Sequence, residues 1–223
     1  MEDETTRPPG GPLTEVIRAR RMTRSFDPRP LPREVISELV ELGSWAPSAG
    51  KTQGWHLVVL EGDETSRFWD VTLPPTRRRS FRWQQLLDAP VIALPLADPR
   101  AYTERYSQPD KQASGLGQST EAWPVPYWTV DTSMSVMTIL LAAESMGLGA
   151  LFFGVFRGER ELRRALGIPA SMQLLGAIAL GYKRGDGPSR RGEDTSPGGA
   201  GRSANRRRRR PDEIIHLGGW RLT

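Results

Sequence analysis

Apolar residues recur at helical spacing along much of the chain, and one amphipathic helix is clearly delimited. After Pro32, apolar residues line one face of the predicted helix, namely Val35, Ile36, Leu39, Val40 and Leu42. Pro32 suits a first helical turn, while Gly43 weakens the end and Pro47 closes it. The pattern therefore predicts a surface helix followed by a loop that starts near Pro47.

Three more helices are predicted, over residues 13–21, 131–146 and 159–169. The second would be capped by Asp131 or Thr132 and is nearly apolar all round, which is typical of a core helix. Residues 99–130 contain many prolines and glycines and are predicted to be rich in loops.

Short apolar runs predict strands between these helices. They cover residues 56–60, 90–97, 150–156, 174–182 and a terminal strand at 214–217. The run at 90–97 is apolar on both faces, so it is expected at the centre of the sheet. Helices and strands do not alternate strictly, and this order favours an α+β fold over a parallel α/β sheet.

The basic charge of the chain is concentrated in one segment. The 223 residues carry a net charge of +5, yet residues 183–210 alone hold ten basic and three acidic side chains, and the remainder is close to −2. We therefore expect no nucleic-acid partner and no basic binding face over the whole fold. Residues 184–206 are rich in Gly, Ser and Arg and are predicted to be a disordered insertion, and residues 1–12 a flexible N-terminus, in a single domain over 13–223.

Composition excludes several kinds of site. The chain has no cysteine and only two histidines, so thiolate chemistry and a histidine-rich metal site are not expected. No Ser/His/Asp arrangement or pair of catalytic carboxylates is evident. No apolar run is long enough to cross a membrane, and the N-terminus lacks the apolar core of a signal peptide, so a cytoplasmic protein is expected.

Three segments carry groups that could bind a ligand. Arg20, Arg21 and Arg24 lie within five residues, next to Met22, and could clamp a phosphate or simply form a solvated helix end. Residues 206–210 are five consecutive arginines, which suit a nucleic-acid arm, a disordered linker or part of an anion site.

The third segment is the loop at 46–55, which is rich in small residues that can approach a planar ligand or simply join a helix to a strand. Its Gly-Lys-Thr string resembles a phosphate-binding P-loop, but position 45 is Trp where that motif needs Gly. Three aromatic residues farther along the chain suggest either packing or a substrate lid: Trp123, Tyr127 and Trp128.

In combination, these segments resemble the nitroreductase family of FMN-dependent oxidoreductases. Four ordered blocks carry the resemblance: RRMTRSF at 20–26, APSAGKTQGWHLVVL at 46–60, ILLAAESMGLGALFFGVF at 139–156 and RRPDEIIHLGGW at 209–220. The resemblance implies an α+β homodimer with a central, mainly antiparallel sheet flanked by helices, a C-terminal segment exchanged between subunits and FMN at the interface. It also implies that the flavin would transfer hydride by a ping-pong reaction from NAD(P)H to a small electron-poor acceptor, such as a nitroaromatic, a quinone or an enone.

The family's flavin contacts carry over to matching positions. Arg20, Arg21, Met22 and Arg24 would line the phosphate, ribityl and pyrimidine side of FMN, with Arg209 and Arg207 returning to the phosphate. The loop of the other subunit would contribute Pro47, Ser48, Ala49 and Lys51, and the isoalloxazine would lie against Phe152, Phe153 and Gly154, whose amide would approach N5. No side chain is expected as an obligatory catalytic acid or base, because the cofactor carries the chemistry.

Three positions depart from the family pattern. Met22 stands where the family often has Ser, Lys51 where it usually has Asn, and Gly54 where it has Pro. Two alternatives to the oxidoreductase stay open: a non-catalytic flavin-binding or storage protein of the same fold, and a specialised branch with dehalogenase, flavin-cleaving or dehydrogenase activity.

Overall fold

A computed structural model describes residues 12–185 and 207–220, which fall into two compact units. Residues 1–11 of the flexible N-terminus predicted over 1–12, and nearly all of the predicted insertion at 184–206, lie outside the described residues. The single domain over 13–223 therefore stays a prediction.

The larger unit is built on an antiparallel sheet. Its strands are β1 (Phe26–Asp27), β2 (Trp55–Glu61), β3 (Val91–Ala97), β4 (Leu148–Phe153), β5 (Gln173–Leu174) and β6 (Ala177–Lys183). β3 pairs with β2 along one edge and with β6 and β5 along the other, while β6 pairs with β4 on its far edge and with β1 near its end. Every residue of β3 is buried, which confirms its predicted central place.

Helices cover the sheet. They are α1 (Pro12–Ala19), α2 (Arg33–Ser44), α3 (Thr65–Thr72), α4 (Pro75–Arg78), α5 (Pro99–Tyr106), α6 (Tyr127–Ser145) and α7 (Glu159–Leu166). α7 ends at Gly167, whose φ of 66° is the left-handed conformation expected of a glycine after a helix. The predicted α+β fold is confirmed.

The core lies on the two faces of the sheet because successive strand residues point to opposite sides. On one face, Phe68 and Trp69 of α3 pack with Phe153. On the other, Ile139 of α6 packs in a cluster that includes Phe152. Phe152 and Phe153, which are neighbours at the end of β4, thus belong to core clusters on opposite faces of the sheet.

The region between β3 and α6 contains more helix than predicted. Asp98 caps α5 by accepting a hydrogen bond from the Arg100 amide at 3.0 Å, and Pro99 occupies the first turn. α6 begins at Tyr127, so the prediction that Asp131 or Thr132 caps it was wrong. The Pro126 carbonyl accepts the first amides of the helix, which leaves the Asp131 side chain to bind elsewhere.

The predicted strand at 214–217 was also wrong. Pro211–Glu213 form a 3-10 turn, and the Ile215 amide donates to the Pro211 carbonyl at 2.8 Å, so the backbone turns where a strand would stay extended. Residues 207–220 contain no strand. Their apolar side chains at Ile214 and Leu217 are exposed within the described residues.

Candidate active site

The arginine-rich segment runs beside β4. The Thr23 amide donates to the Ala150 carbonyl at 3.0 Å, and Met22 forms a bridge with the same residue. Gly149 permits this approach, since a Cβ there would lie 2.7 Å from Thr23 Cγ2. These contacts hold the segment from Arg20 to Phe26 against β4, the strand that leads to Gly154.

Arg20 has the most informative side chain of this segment. Its Nε and Nη1 atoms are buried and have no hydrogen-bond partner among the described residues. A guanidinium group is always charged, and burying such a charge without a partner is costly. The position is therefore suited to an anionic group that is not part of the described protein.

The other two arginines are engaged locally. Arg21 Nη1 donates to the carbonyls of Arg18, Ala19 and Arg20 at 2.7–3.0 Å, which satisfies acceptors at the end of α1. Arg24 Nη1 donates to the Met22 carbonyl at 3.1 Å. Ligand binding by Arg21, Met22 and Arg24 stays a prediction.

A second segment lies against these residues and was not singled out from the sequence. The Arg24 guanidinium lies 5.3 Å from the Trp83 ring centroid, and Arg82 lies over the same ring at 5.6 Å. The Ser25 hydroxyl donates to Gln85 Oε1 at 2.5 Å. The run of arginines before Trp83 was the only sequence signal for this neighbour of the arginine segment.

The loop after α2 has a strained backbone. Gly50, Lys51 and Gln53 all have positive φ, at 61°, 54° and 52°. Glycine adopts this conformation readily, but for lysine and glutamine it costs on the order of 1–2 kcal/mol each. The loop must be held in place by contacts outside its own backbone.

Asp131 supplies one such contact from inside α6. Its Oδ2 atom accepts a hydrogen bond from the Ala49 amide at 2.8 Å and another from the Tyr102 hydroxyl at 2.7 Å. Burial and the hydrogen bond to Asp131 raise the pKa of the Tyr102 phenol well above its ordinary value, so it remains a donor.

α5 supplies the other contacts. Arg105 Nε donates to the Gly50 carbonyl at 2.9 Å, and its terminal nitrogens bind both carboxylate oxygens of Asp110. Two tyrosines of α5 lie under the loop: a Cβ added at Gly50 would be 2.9 Å from Tyr106, and one at Gly54 2.7 Å from Tyr102. A residue without a side chain is therefore needed at position 54, where α5 approaches the loop.

The loop residues predicted to contact a flavin lie at its start. The Ser48 hydroxyl accepts a hydrogen bond from the Gln53 amide at 3.0 Å, and its carbonyl accepts one from Lys51. Pro47 and Lys51 are exposed, and the Lys51 ammonium makes no ion pair with any described residue. Their contact with a ligand stays a prediction.

The three aromatic residues predicted as packing or lid differ in environment. Trp123 is buried, packs between Tyr102 and Tyr106, and donates its indole N–H to the Leu116 carbonyl at 2.9 Å. Tyr127 is exposed, and the Trp128 indole donates to Gln173. Trp123 thus has a packing role, and a lid role for the three remains a prediction.

The end of β4 presents two different surfaces. Phe153 stacks on Trp69 with ring centroids 6.1 Å apart, whereas Phe152 packs on the opposite face of the sheet. Only one of the two rings can therefore lie against a given planar ligand. Gly154 follows with the Phe156 ring beside it, and Phe156 is 92% exposed.

The smaller unit contains the C-terminal arginines. Arg207 binds both carboxylate oxygens of Glu213 and lowers the pKa of this carboxyl, and Arg209 donates to the Glu213 carbonyl. Arg210 pairs with Asp212 at 2.7 Å. A phosphate contact from Arg207 or Arg209 stays a prediction.

Two kinds of feature are absent from the described residues. Residues 12–185 and 207–220 contain no group of three or more His, Asp or Glu side chains that could hold a metal ion. The same ranges contain no helix with the length and apolar character needed to cross a bilayer.

Comparison with known proteins places the chain in a family. The sequence model of the Nitroreductase family matches residues 17–182. An Archaeoglobus fulgidus protein described as an NADH dehydrogenase/NAD(P)H nitroreductase is 27% identical over 174 residues, which cover 76% of this chain and 84% of the relative. The 4-nitrobenzoate reductase of a Nocardioides species is 26% identical over 201 residues, covering 78% and 81%.

Solved structures share the fold. A Desulfovibrio desulfuricans protein described as a nitroreductase in complex with FMN superposes with a TM-score of 0.60 at 23% identity, covering 84% of this chain and 95% of that one. The family match spans the arginine segment, the strained loop, α6 and β4. The chain belongs to the nitroreductase family.

Proposed function

We propose that the protein is an FMN-dependent oxidoreductase that takes hydride from NAD(P)H and delivers it to a small electron-poor acceptor. The proposed acceptors are nitroaromatics, quinones or enones, and the proposed order is ping-pong. FMN would supply the hydride chemistry when bound, and the protein would bind, orient and shield it.

The observation that carries this proposal is the pair of buried guanidinium nitrogens of Arg20, Nε and Nη1, which have no hydrogen-bond partner among the described residues. Its two buried nitrogen atoms need an anionic acceptor, and a phosphate monoester such as that of FMN provides oxygens in suitable geometry. The residues present therefore fit the cofactor at its phosphate end.

Other residues are proposed to contact the isoalloxazine ring of FMN. Gly154 lies against the exposed Phe156 ring, and its backbone amide is proposed to donate to the flavin near N5. Either Phe152 or Phe153 would supply an apolar wall against the flavin ring, and Lys51 would place a cation beside it. These roles are consistent with a flavin site, which needs donors at one edge, an apolar face and cations at the phosphate.

The relatives support the same function. One is named 4-nitrobenzoate reductase and another NADH dehydrogenase/NAD(P)H nitroreductase, so reduced nicotinamide as donor and a nitroaromatic as acceptor are the natural candidates here. The D. desulfuricans structure contains FMN on the same fold.

We further propose a homodimer that completes the site. Large apolar side chains are exposed within each unit, among them Trp45 at 79% and Trp220 at 80%. Exposed apolar side chains mark a protein contact where they form a contiguous patch. A second copy of the chain would cover them and supply Pro47, Ser48, Ala49 and Lys51 to the flavin of the first.

Uptake of FMN tests the proposal. We expect purified protein, stripped of ligand and then titrated with FMN, to bind about one FMN per chain with quenching of flavin fluorescence. Riboflavin, which lacks the phosphate, should bind far more weakly because it cannot pair with Arg20. Equal binding of both flavins would contradict the phosphate assignment, and no binding of either would contradict the function.

A further inference from the structure

We propose that Asp131, Tyr102 and Arg105 form a clamp that positions Lys51 as a cation of the flavin site. This inference rests on the proposed function, since it assigns a role to the strained loop within that site. The clamp residues are positioning residues, because they reach the loop backbone and leave the ligand to other groups.

The need for a clamp follows from the backbone of Lys51. Its φ of 54° lies in the left-handed region, where asparagine is tolerated better than lysine because its short side chain can hydrogen-bond locally. The lysine of this chain therefore needs support that an asparagine at the same position would need less.

The clamp residues form hydrogen bonds with the backbone of two consecutive loop residues. Asp131 Oδ2 accepts from the Ala49 amide at 2.8 Å, and Arg105 Nε donates to the Gly50 carbonyl at 2.9 Å. Both bonds act immediately before Lys51. Each uses a charged group, and charge-assisted hydrogen bonds are the stronger kind.

The clamp residues are themselves held from outside the loop. Tyr102 donates to the same Asp131 oxygen and is almost fully buried, and Asp110 binds the other end of the Arg105 guanidinium. Trp123 packs edge-on against Tyr102, with ring centroids 5.8 Å apart. The loop conformation is thus coupled through α5 to residues 107–126.

The functional consequence concerns the Lys51 ammonium. It is exposed and makes no ion pair among the described residues, so it is available to a ligand. A cation beside the flavin stabilises the anionic reduced form and raises its reduction potential. Loosening the clamp should reduce this effect without removing the charge.

Two variants loosen the clamp, and two others serve as controls. Tyr102→Phe and Arg105→Met each remove one polar group. Asp131→Asn is the conservative variant: both bonds reach one oxygen, so an amide oxygen in that place can still accept them. Ser135→Ala removes another buried hydroxyl, one turn farther along α6.

The first readout is hydrogen exchange of peptides covering 46–54 in FMN-free protein. We expect exchange to accelerate by about tenfold in Tyr102→Phe and Arg105→Met, because one lost hydrogen bond makes local opening that much more frequent. Asp131→Asn should stay closer to wild type than either, and Ser135→Ala should match wild type. Unchanged exchange in both clamp variants would overturn the clamp, whether or not the protein binds FMN.

The second readout is the reduction potential of bound FMN. We expect it to fall in Lys51→Asn, and to fall in the same direction in Tyr102→Phe and Arg105→Met although Lys51 is still present. A purely structural clamp would lower thermal stability and leave the potential unchanged, and that result would overturn the role of Lys51. Failure of wild-type protein to bind FMN would instead refute the proposed function, while the exchange data still decide on the clamp.

Discussion

Replacing Arg20 with alanine should weaken FMN binding by about tenfold to a hundredfold. The guanidinium is proposed to make charge-assisted hydrogen bonds to the cofactor phosphate, and such bonds contribute about 1.5–3 kcal/mol. The same substitution should leave FMN-free protein at least as stable as wild type, since it removes a buried charge whose Nε and Nη1 atoms have no partner among the described residues. The two effects have opposite signs, which separates ligand binding from folding.

The measurement is a pair of titrations, with FMN fluorescence for affinity and urea for unfolding of the FMN-free protein. Arg18→Ala is a matched control, because it removes an exposed arginine two residues earlier, in the last turn of α1. It should change neither quantity appreciably. An Arg20→Ala variant that unfolds more easily but binds FMN as wild type does would contradict the phosphate assignment.

Gly54→Ala is expected to destabilise the protein by about 1–3 kcal/mol, since inserting a methyl group into a packed site costs this much. The new Cβ would lie 2.7 Å from Tyr102 Cε2 and 2.9 Å from Ala101 Cβ. The Tyr102 ring cannot move aside easily, because it is buried and hydrogen-bonded to Asp131. The melting temperature should fall by about 3–10 °C for a domain of this size.

Gly62→Ala provides the comparison for this prediction. Gly62 has a φ of 53°, but an added Cβ would meet no atom within 4 Å. Its substitution should therefore cost only backbone strain, on the order of 1 kcal/mol. Thermal melts of both variants test this comparison. If Gly54→Ala lowers the melting temperature no more than Gly62→Ala does, then Tyr102 does not pack against the loop as described.

Local sequence patterns were sufficient for most of the sheet and for the amphipathic helices. β3 was predictable because an unbroken apolar run implies burial on both faces, and α7 because Gly167 and Pro169 follow its last turn. The fold family followed from the order of four motifs, and the family match confirms it.

The start of α6 and the presence of α5 could not be predicted from the local sequence pattern. Asp131 is a favourable helix cap by residue type, yet α6 starts four residues earlier. Its carboxylate instead accepts hydrogen bonds from the Ala49 amide and the Tyr102 hydroxyl. α5 was missed although Asp98 and Pro99 are good start signals, since the glycines and prolines farther along suggested a loop throughout.

Within the candidate site, residue type identified the arginines but not their partners. Three guanidinium groups in five residues appeared equivalent in the sequence, and the fold distinguishes them. Arg21 binds the end of α1, whereas two guanidinium nitrogens of Arg20 are buried without a partner among the described residues. The strain at Lys51 was likewise invisible, because a positive φ in a non-glycine residue depends on contacts from distant helices.

Anaerobic reduction of the FMN-loaded protein is the most direct test of the proposed oxidoreductase activity. Adding one equivalent of NADH or NADPH should bleach the visible flavin absorbance, and adding 4-nitrobenzoate should restore it with consumption of the nitroaromatic. A flavin that stays oxidised with both nucleotides, but is bleached by dithionite, would show a flavin-binding protein without this oxidoreductase activity and would contradict the proposed function.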